Sequence, residues 1–241
     1  MMNILLTNDD GYNATGIKIL QEILKDFGTV YLIAPFSQQS GVGTHFSLNR
    51  GFTVTKHDDY TYSIDGTPVD VILLATQIFD VKFDLLVSGC NNGPNISYDS
   101  LYSGTVAAAI EGLNHSLPSM AISTDYEHFD IVKKEVKTVI EYVFKHQLLS
   151  TSWCLNINFP LKKFNKSKGL RLCKEFRKAD GFYYWEKDGK YYTDRHEDFK
   201  DAPEDSDVYA FANGYISICP LKASWFDEKT YKKLQDKIKN S

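Results

Sequence analysis

The spacing of apolar and polar positions changes several times along the chain, and each change marks an element. Residues 3–6 are a short apolar run suited to a buried strand. Ile17, Leu20, Ile23 and Leu24 then recur at helical spacing, which predicts an amphipathic helix over 16–27. Residues 29–34 form a second strand, and 46–65 read as a hairpin excursion with Asp58-Asp59 near its turn. Thr67 is placed to N-cap a helix that starts at Pro68, a residue favoured at the first helical position. Strands are expected at 85–88, 120–123 and 155–159, with helices at 103–112 and 131–146 between them. This alternation predicts an α/β fold with a mainly parallel sheet and helices on both faces.

The second half differs in character. In residues 182–192 six aromatics flank Asp188-Gly189, a two-residue hairpin signal. A lone ribbon carrying that many rings needs cover from the body or from a second subunit. Residues 214–220 return to a strand pattern, and 227–239 form a charged amphipathic C-terminal helix. The expectation is a single domain over 1–241, with a protruding arm around 177–200 and the C-terminal helix 227–239.

Composition narrows the function. At 241 residues, 43% of them hydrophobic, the chain can bury a core without staples. A net charge of -4 argues against a broad nucleic-acid-binding face, and no apolar run is long enough to span a bilayer. Cys90, Cys154, Cys173 and Cys219 form no CxxC pair, so reduced thiols and a cytoplasmic location are expected.

Three polar loops carry the candidate chemistry, each following a predicted strand where parallel sheets bind ligands. In Asn8-Asp9-Asp10-Gly11, two adjacent carboxylates repel unless a cation or protons neutralise them. A hard divalent ion, Mg²⁺ or Mn²⁺, suits such oxygen ligands, although an acidic helix-capping turn has the same composition. The loop of residues 35–45 brings the hydroxyl of Ser40, two glycines and His45, a candidate phosphate contact or proton donor. The run Ser88-Gly89-Cys90-Asn91-Asn92-Gly93-Pro94-Asn95 offers amide oxygens for a metal. Beyond it, Ser103-Gly104-Thr105 opens a helix whose N–H groups favour an anion. A metal site beside an anion pocket is the equipment of metal-assisted phosphoryl transfer.

Thr7-Asn8-Asp9-Asp10-Gly11, Ser40-Gly41, the run from Val87 to Asn95 and Tyr102-Ser103-Gly104-Thr105 resemble the signatures of the SurE family, the survival protein E nucleotidases. Gly66-Thr67-Pro68, Asn156-Ile157-Asn158-Phe159-Pro160 and the strand ending at Pro220-Leu221 are similar to further segments of that family. The resemblance implies a Rossmann-like fold and hydrolysis of nucleoside 5'- and 3'-monophosphates, in some members also of short polyphosphate. It implies one divalent metal per subunit on Asp9, Asp10, Ser40 and Asn91, with Asp9 and Asp10 catalytic. It also implies phosphate contacts at Asn95, Ser103, Gly104 and Thr105, and homodimers or homotetramers built through the hairpin arm. Cys90 stands where the family usually has an aliphatic residue, which raises the expectation that oxidation there would affect activity. Two other readings compete. An Asp after the first strand can be a phosphorylated nucleophile, as in haloacid dehalogenase-like phosphatases, but their DxD spacing is absent here. A nucleotide-sensing module without turnover is the other.

Overall fold

The computed structural model describes residues 1–177, 182–195, 199–224 and 226–239. In chain order they form β1 (Met2–Thr7), α1 (Thr15–Leu24), β2 (Gly28–Pro35), β3 (Val54–Lys56), β4 (Thr61–Ile64), α2 (Pro68–Ile78) and β5 (Leu85–Asn92). Then come α3 (Asp99–Tyr102), α4 (Gly104–Asn114), β6 (Ser119–Thr124), α5 (Phe129–Lys145), β7 (Cys154–Asn158) and β8 (Leu170–Leu172). The chain continues through β9 (Phe182–Lys187), β10 (Lys190–Arg195), α6 (Asp207–Ala212), β11 (Ile216–Leu221) and α7 (Glu228–Lys239).

Nine strands join in one sheet in the order β3-β4-β2-β1-β5-β6-β7-β11-β8. From β4 to β7 every neighbour is parallel, while β3 and β11 run antiparallel to β4 and β7. The fold is therefore the expected Rossmann-like α/β architecture. Strand residues alternate between its two faces. Ile4 and Leu6 pack with Ile17, Leu20 and Leu24 of α1 and with Val136 and Ile140 of α5. Leu5 points the other way, to Val71 and Ile72 of α2 and Ala108 of α4. Each such fully buried aliphatic side chain contributes about 1.5–3 kcal/mol.

Sheet order also positions the site. β1 lies centrally, with β2 on one side and β5 on the other, so the chain changes direction of progress between β1 and β5. At such a switch point the connections leave in opposite directions and open a crevice beyond the carboxyl ends of the strands. Asp9 and Asp10 follow β1, and Asn91 and Asn92 end β5. The β5–β6 register shifts between Gly89 and Asn91, which turns the asparagines out of the regular pleat.

Local signals explain several boundaries. Thr67 caps α2 in a full capping box with Asp70, behind Pro68. Ser103 caps α4 by accepting from the Val106 N–H. The first helix ends at Leu24, earlier than its apolar period suggests, because Asp26 and Phe27 close three-residue turns onto Ile23 and Leu24. Of the expected 46–65 excursion, only residues 54–64 form a hairpin, with Val54 opposite Ile64.

β9 and β10 pair with each other and form a separate two-stranded sheet. The body does not cover their rings: Tyr184 and Tyr191 are 70% and 78% exposed. No residue of α7 is buried either. Parts of the expected 177–200 arm, residues 178–181 and 196–198, lie outside the described residues. Among the described residues no helix is long and apolar enough to cross a membrane.

Candidate active site

Asp9 is the anchor of the site. It sits 3% exposed at the end of β1 and reaches the first turn of α4. The Thr105 hydroxyl donates to Asp9 Oδ1 at 2.6 Å, and the Thr105 N–H donates to Asp9 Oδ2 at 3.2 Å. A carboxylate thus already occupies the positive end of α4. With Val106 N–H held by Ser103, the Gly104 N–H and the Ser103 O–H remain as first-turn donors with no partner among the described residues. Gly104 makes the close approach possible. A Cβ there would stand 2.9 Å from Asp9 Cβ, 3.1 Å from Asp9 Oδ2 and 3.0 Å from Val42 Cγ1. Gly104→Ala is expected to push Asp9 off Thr105 and lower kcat/KM at least ~10²-fold with the fold retained, checked by steady-state kinetics beside circular dichroism.

Asp10 turns to β5, where its Oδ2 accepts from Asn92 N–H at 2.9 Å. A cleft of about 210 Å³ opens at Asp10, lined also by Gln38, Asn92, Gly16 and Phe129. Asn8 stiffens the turn between the strand and the carboxylates, exchanging hydrogen bonds with the Gly11 backbone at 3.1 and 3.0 Å. The second loop lies against the first, since Gln39 N–H donates to the Asp9 carbonyl at 2.7 Å. Its Ser40 is exposed, and its Oγ meets Gln38 Nε2 at 2.9 Å. Asn91 gives its amide Nδ2 to the Gly93 carbonyl at 2.8 Å, leaving Oδ1 without a donor among the described residues.

Asn95 is buried deeper than its sequence context suggests. Its N–H donates to Asn158 Oδ1 at 2.7 Å, its carbonyl accepts from Asn156 at 2.7 Å, and its Nδ2 donates to Ser123 at 2.8 Å. Sequence reasoning missed this amide network, although Asn156 and Asn158 stand alternately in an otherwise apolar strand. It also missed Asp207, a buried carboxylate that receives the N–H groups of Ser97 and Phe176, both at 3.0 Å. His45 does not join the cluster. It is exposed, and no hydrogen bond among the described residues ties its ring to Asp9, Asp10 or the start of α4.

The electrostatics are those of an uncompensated pair. Burial, then the neighbouring charge of Asp10, pushes Asp9 up to about 6 against the hydrogen bonds from Thr105; burial also raises Asp10. Among the described residues no Lys, Arg or His forms an ion pair with either. Such a pair suits a divalent cation. No three Asp, Glu, His or Cys side chains cluster as a metal site among the described residues, so two carboxylates would share an ion with neutral oxygens. Ser40 stands on the loop after β2 and Asn91 at the end of β5, the two strands that flank β1.

A model of the family described as survival protein SurE matches residues 4–181. The chain belongs to the SurE family. Curated SurE relatives span nearly the whole chain. The 5'-nucleotidase SurE of Haemophilus influenzae (strain PittGG) is 35% identical over 229 residues, covering 92% of each chain. That of Actinobacillus succinogenes is 34% identical over 241 residues, covering 97% of this chain and 98% of its own. The crystal structure of the SurE protein from Aquifex aeolicus superposes with a TM-score of 0.83 at 32% identity, over 97% of this chain and 98% of that one.

The expected oxidation sensitivity of Cys90 needs correction. Cys90 is fully buried beside Asn91, and burial followed by the charge of Asp10 drives its thiol well above the ordinary range. Peroxide attacks the exposed thiolate, so Cys90 is a poor target. Cys90→Ile is expected to leave the peroxide sensitivity of the protein unchanged, measured as activity remaining against peroxide dose.

Proposed function

We propose that this SurE-family protein is a metal-dependent phosphomonoesterase that releases phosphate from nucleoside 5'- and 3'-monophosphates. Short polyphosphate is a further substrate. The observation that carries the proposal is the meeting of Asp9 with the start of α4: a buried carboxylate, next in the chain to the half-buried Asp10, is held at a helix N-terminus. The family names point the same way, since the relatives are called 5'-nucleotidases.

In this reading Asp9, Asp10, Ser40 and Asn91 hold one Mg²⁺ or Mn²⁺. When bound, the ion supplies Lewis-acid polarisation of a phosphoryl oxygen and lowers the pKa of a bound water. The chain's own groups do the rest. Ser103 O–H and Gly104 N–H receive phosphoryl oxygens; Asn95 was expected to touch phosphate too, but its N–H and its amide Nδ2 are given to Asn158 and Ser123. Thr105 was expected to touch phosphate, but both its donors are given to Asp9, so its contribution passes through that carboxylate. Asp10, with Oδ1 turned from the Asn92 contact, orients the attacking water and takes its proton. Hydrogen-bond donors fixed before the reaction meet growing negative charge without reorganising.

The chain acts as one domain over 1–241, in the cytoplasm, as a homodimer or homotetramer. The bare rings of the β9–β10 hairpin and the unburied α7 form the subunit contacts. Phosphate release from a panel of 5'- and 3'-monophosphates and tripolyphosphate tests the substrate class. Release from nucleotides is expected. Nucleotide binding without release under any divalent ion would favour a sensing module instead.

A further inference from the structure

A row of aromatic rings lies beside the catalytic loop, at the edge of the core. Tyr12 stacks on His57 with centroids 4.4 Å apart and planes at 11°, and on its flank lies Phe36 at 6.0 Å and 23°. The rings come from three segments: the turn after Asp10-Gly11, the end of β2, and the turn between β3 and β4. Each is held by its backbone. Tyr12 N–H donates to the Pro35 carbonyl at 2.8 Å, Phe36 N–H to Ile64 at 2.7 Å, and His57 N–H to Thr61 at 2.9 Å. The His57 ring is turned by a 2.8 Å hydrogen bond between Nε2 and Ser63 Oγ. Tyr12 leans partly on the core, whereas Phe36 is 64% exposed.

The row is close to the chemistry. Only Gly11 separates Asp10 from Tyr12, so their Cα atoms are no more than about 7 Å apart. A Cβ on Gly11 would be 3.5 Å from the Phe36 carbonyl, so the backbones of the two loops touch. An isolated surface aromatic needs no explanation. Three rings near-parallel, prearranged by hydrogen bonds, with one of them open and one next but one to Asp10, form a stacking platform. A ring already fixed loses little conformational freedom when a flat ligand settles on it.

We propose that the exposed face of Phe36, backed by Tyr12 and His57, is the subsite on which the purine or pyrimidine ring of the substrate stacks. The inference rests on the nucleotidase reading and deepens it. Every base has a π-face, so this subsite selects nucleotides over phosphate esters that lack a ring while discriminating weakly among bases.

The test compares adenosine 5'-monophosphate with glycerol 2-phosphate. In Phe36→Ala the ratio of kcat/KM for the nucleotide to that for glycerol 2-phosphate is expected to fall about 5- to 100-fold. Phe36→Tyr should keep the wild-type ratio. An unchanged ratio in Phe36→Ala overturns the subsite, as does an equal fall in Phe36→Tyr. If the wild type hydrolyses neither ester, the nucleotidase reading fails and binding decides the subsite separately. Equilibrium dialysis with adenosine should then show binding to wild type that Phe36→Ala loses, and equal binding by the two proteins overturns it.

Discussion

Asp9→Asn is expected to abolish phosphate release, by at least ~10³-fold or about 4 kcal/mol of barrier, while the protein stays folded. The amide replaces the carboxylate nearly atom for atom. Its Oδ1 can accept from Thr105 N–H, and its Nδ2 can donate to Thr105 Oγ1, so both contacts to α4 survive. What is lost is the charge. Stability should move the other way. Asp9 is pushed up to about 6 from 3.8, so between those values the native state binds more protons than the unfolded chain. In chelator, the stability contributed by this group is fully present below about 3.8 and is lost as pH rises through about 6. The Asp9→Asn variant, neutral at this position, escapes that loss. Its metal-free stability at pH 7 should exceed that of wild type by ~1–3 kcal/mol, seen in urea melts with EDTA. Asp10→Asn should be equally inactive, since its Asn92 contact needs only an acceptor. Turnover retained in both variants would falsify the assignment of these two residues.

Gly16→Ala should be the most damaging of the small substitutions. A Cβ at Gly16 would stand 1.9 Å from the Cys90 carbonyl oxygen and 2.9 Å from its carbon. Both are backbone atoms of β5, and neither can rotate away. Helix α1 must then lift off the sheet, or the Cys90–Asn92 segment must move, taking with it the partner of Asp10. Overpacking of this kind costs about 1–3 kcal/mol or more. A loss of that size lowers Tm by roughly 2–12 °C in a chain of this length. Activity should fall further than stability explains, because the displaced backbone carries Asn91 and Asn92. Kinetics well below the melting range separate the two effects. An alanine variant that melts and turns over like wild type would mean that α1 and β5 do not approach so closely.

Much of this was legible because the signals are local. Thr67-Pro68 announces α2 within two residues, and Asp70 completes the cap one turn later. Asp9-Asp10-Gly11 after an apolar run, and the long run from Val87 to Thr105, point to their chemistry from residue type alone. What was not legible depends on long-range contact. Nothing near Asp9 says that Thr105, 96 residues on, will give it both donors. The row of Tyr12, Phe36 and His57 is assembled from three turns and has no period. No residue type next to Asp207 marks it as a buried carboxylate. Its helix α6 is six residues long, and β8 is three, too short for periodicity to register. The hairpin was read correctly from Asp188-Gly189.

The central claim is that two carboxylates at the end of β1 work through a divalent ion. Phosphate release from adenosine 5'-monophosphate by the wild-type protein, dialysed against EDTA and then given Mg²⁺ or Mn²⁺, tests it most directly. No release in chelator and recovery with added metal is the expected result. Release that continues unchanged in chelator would contradict it.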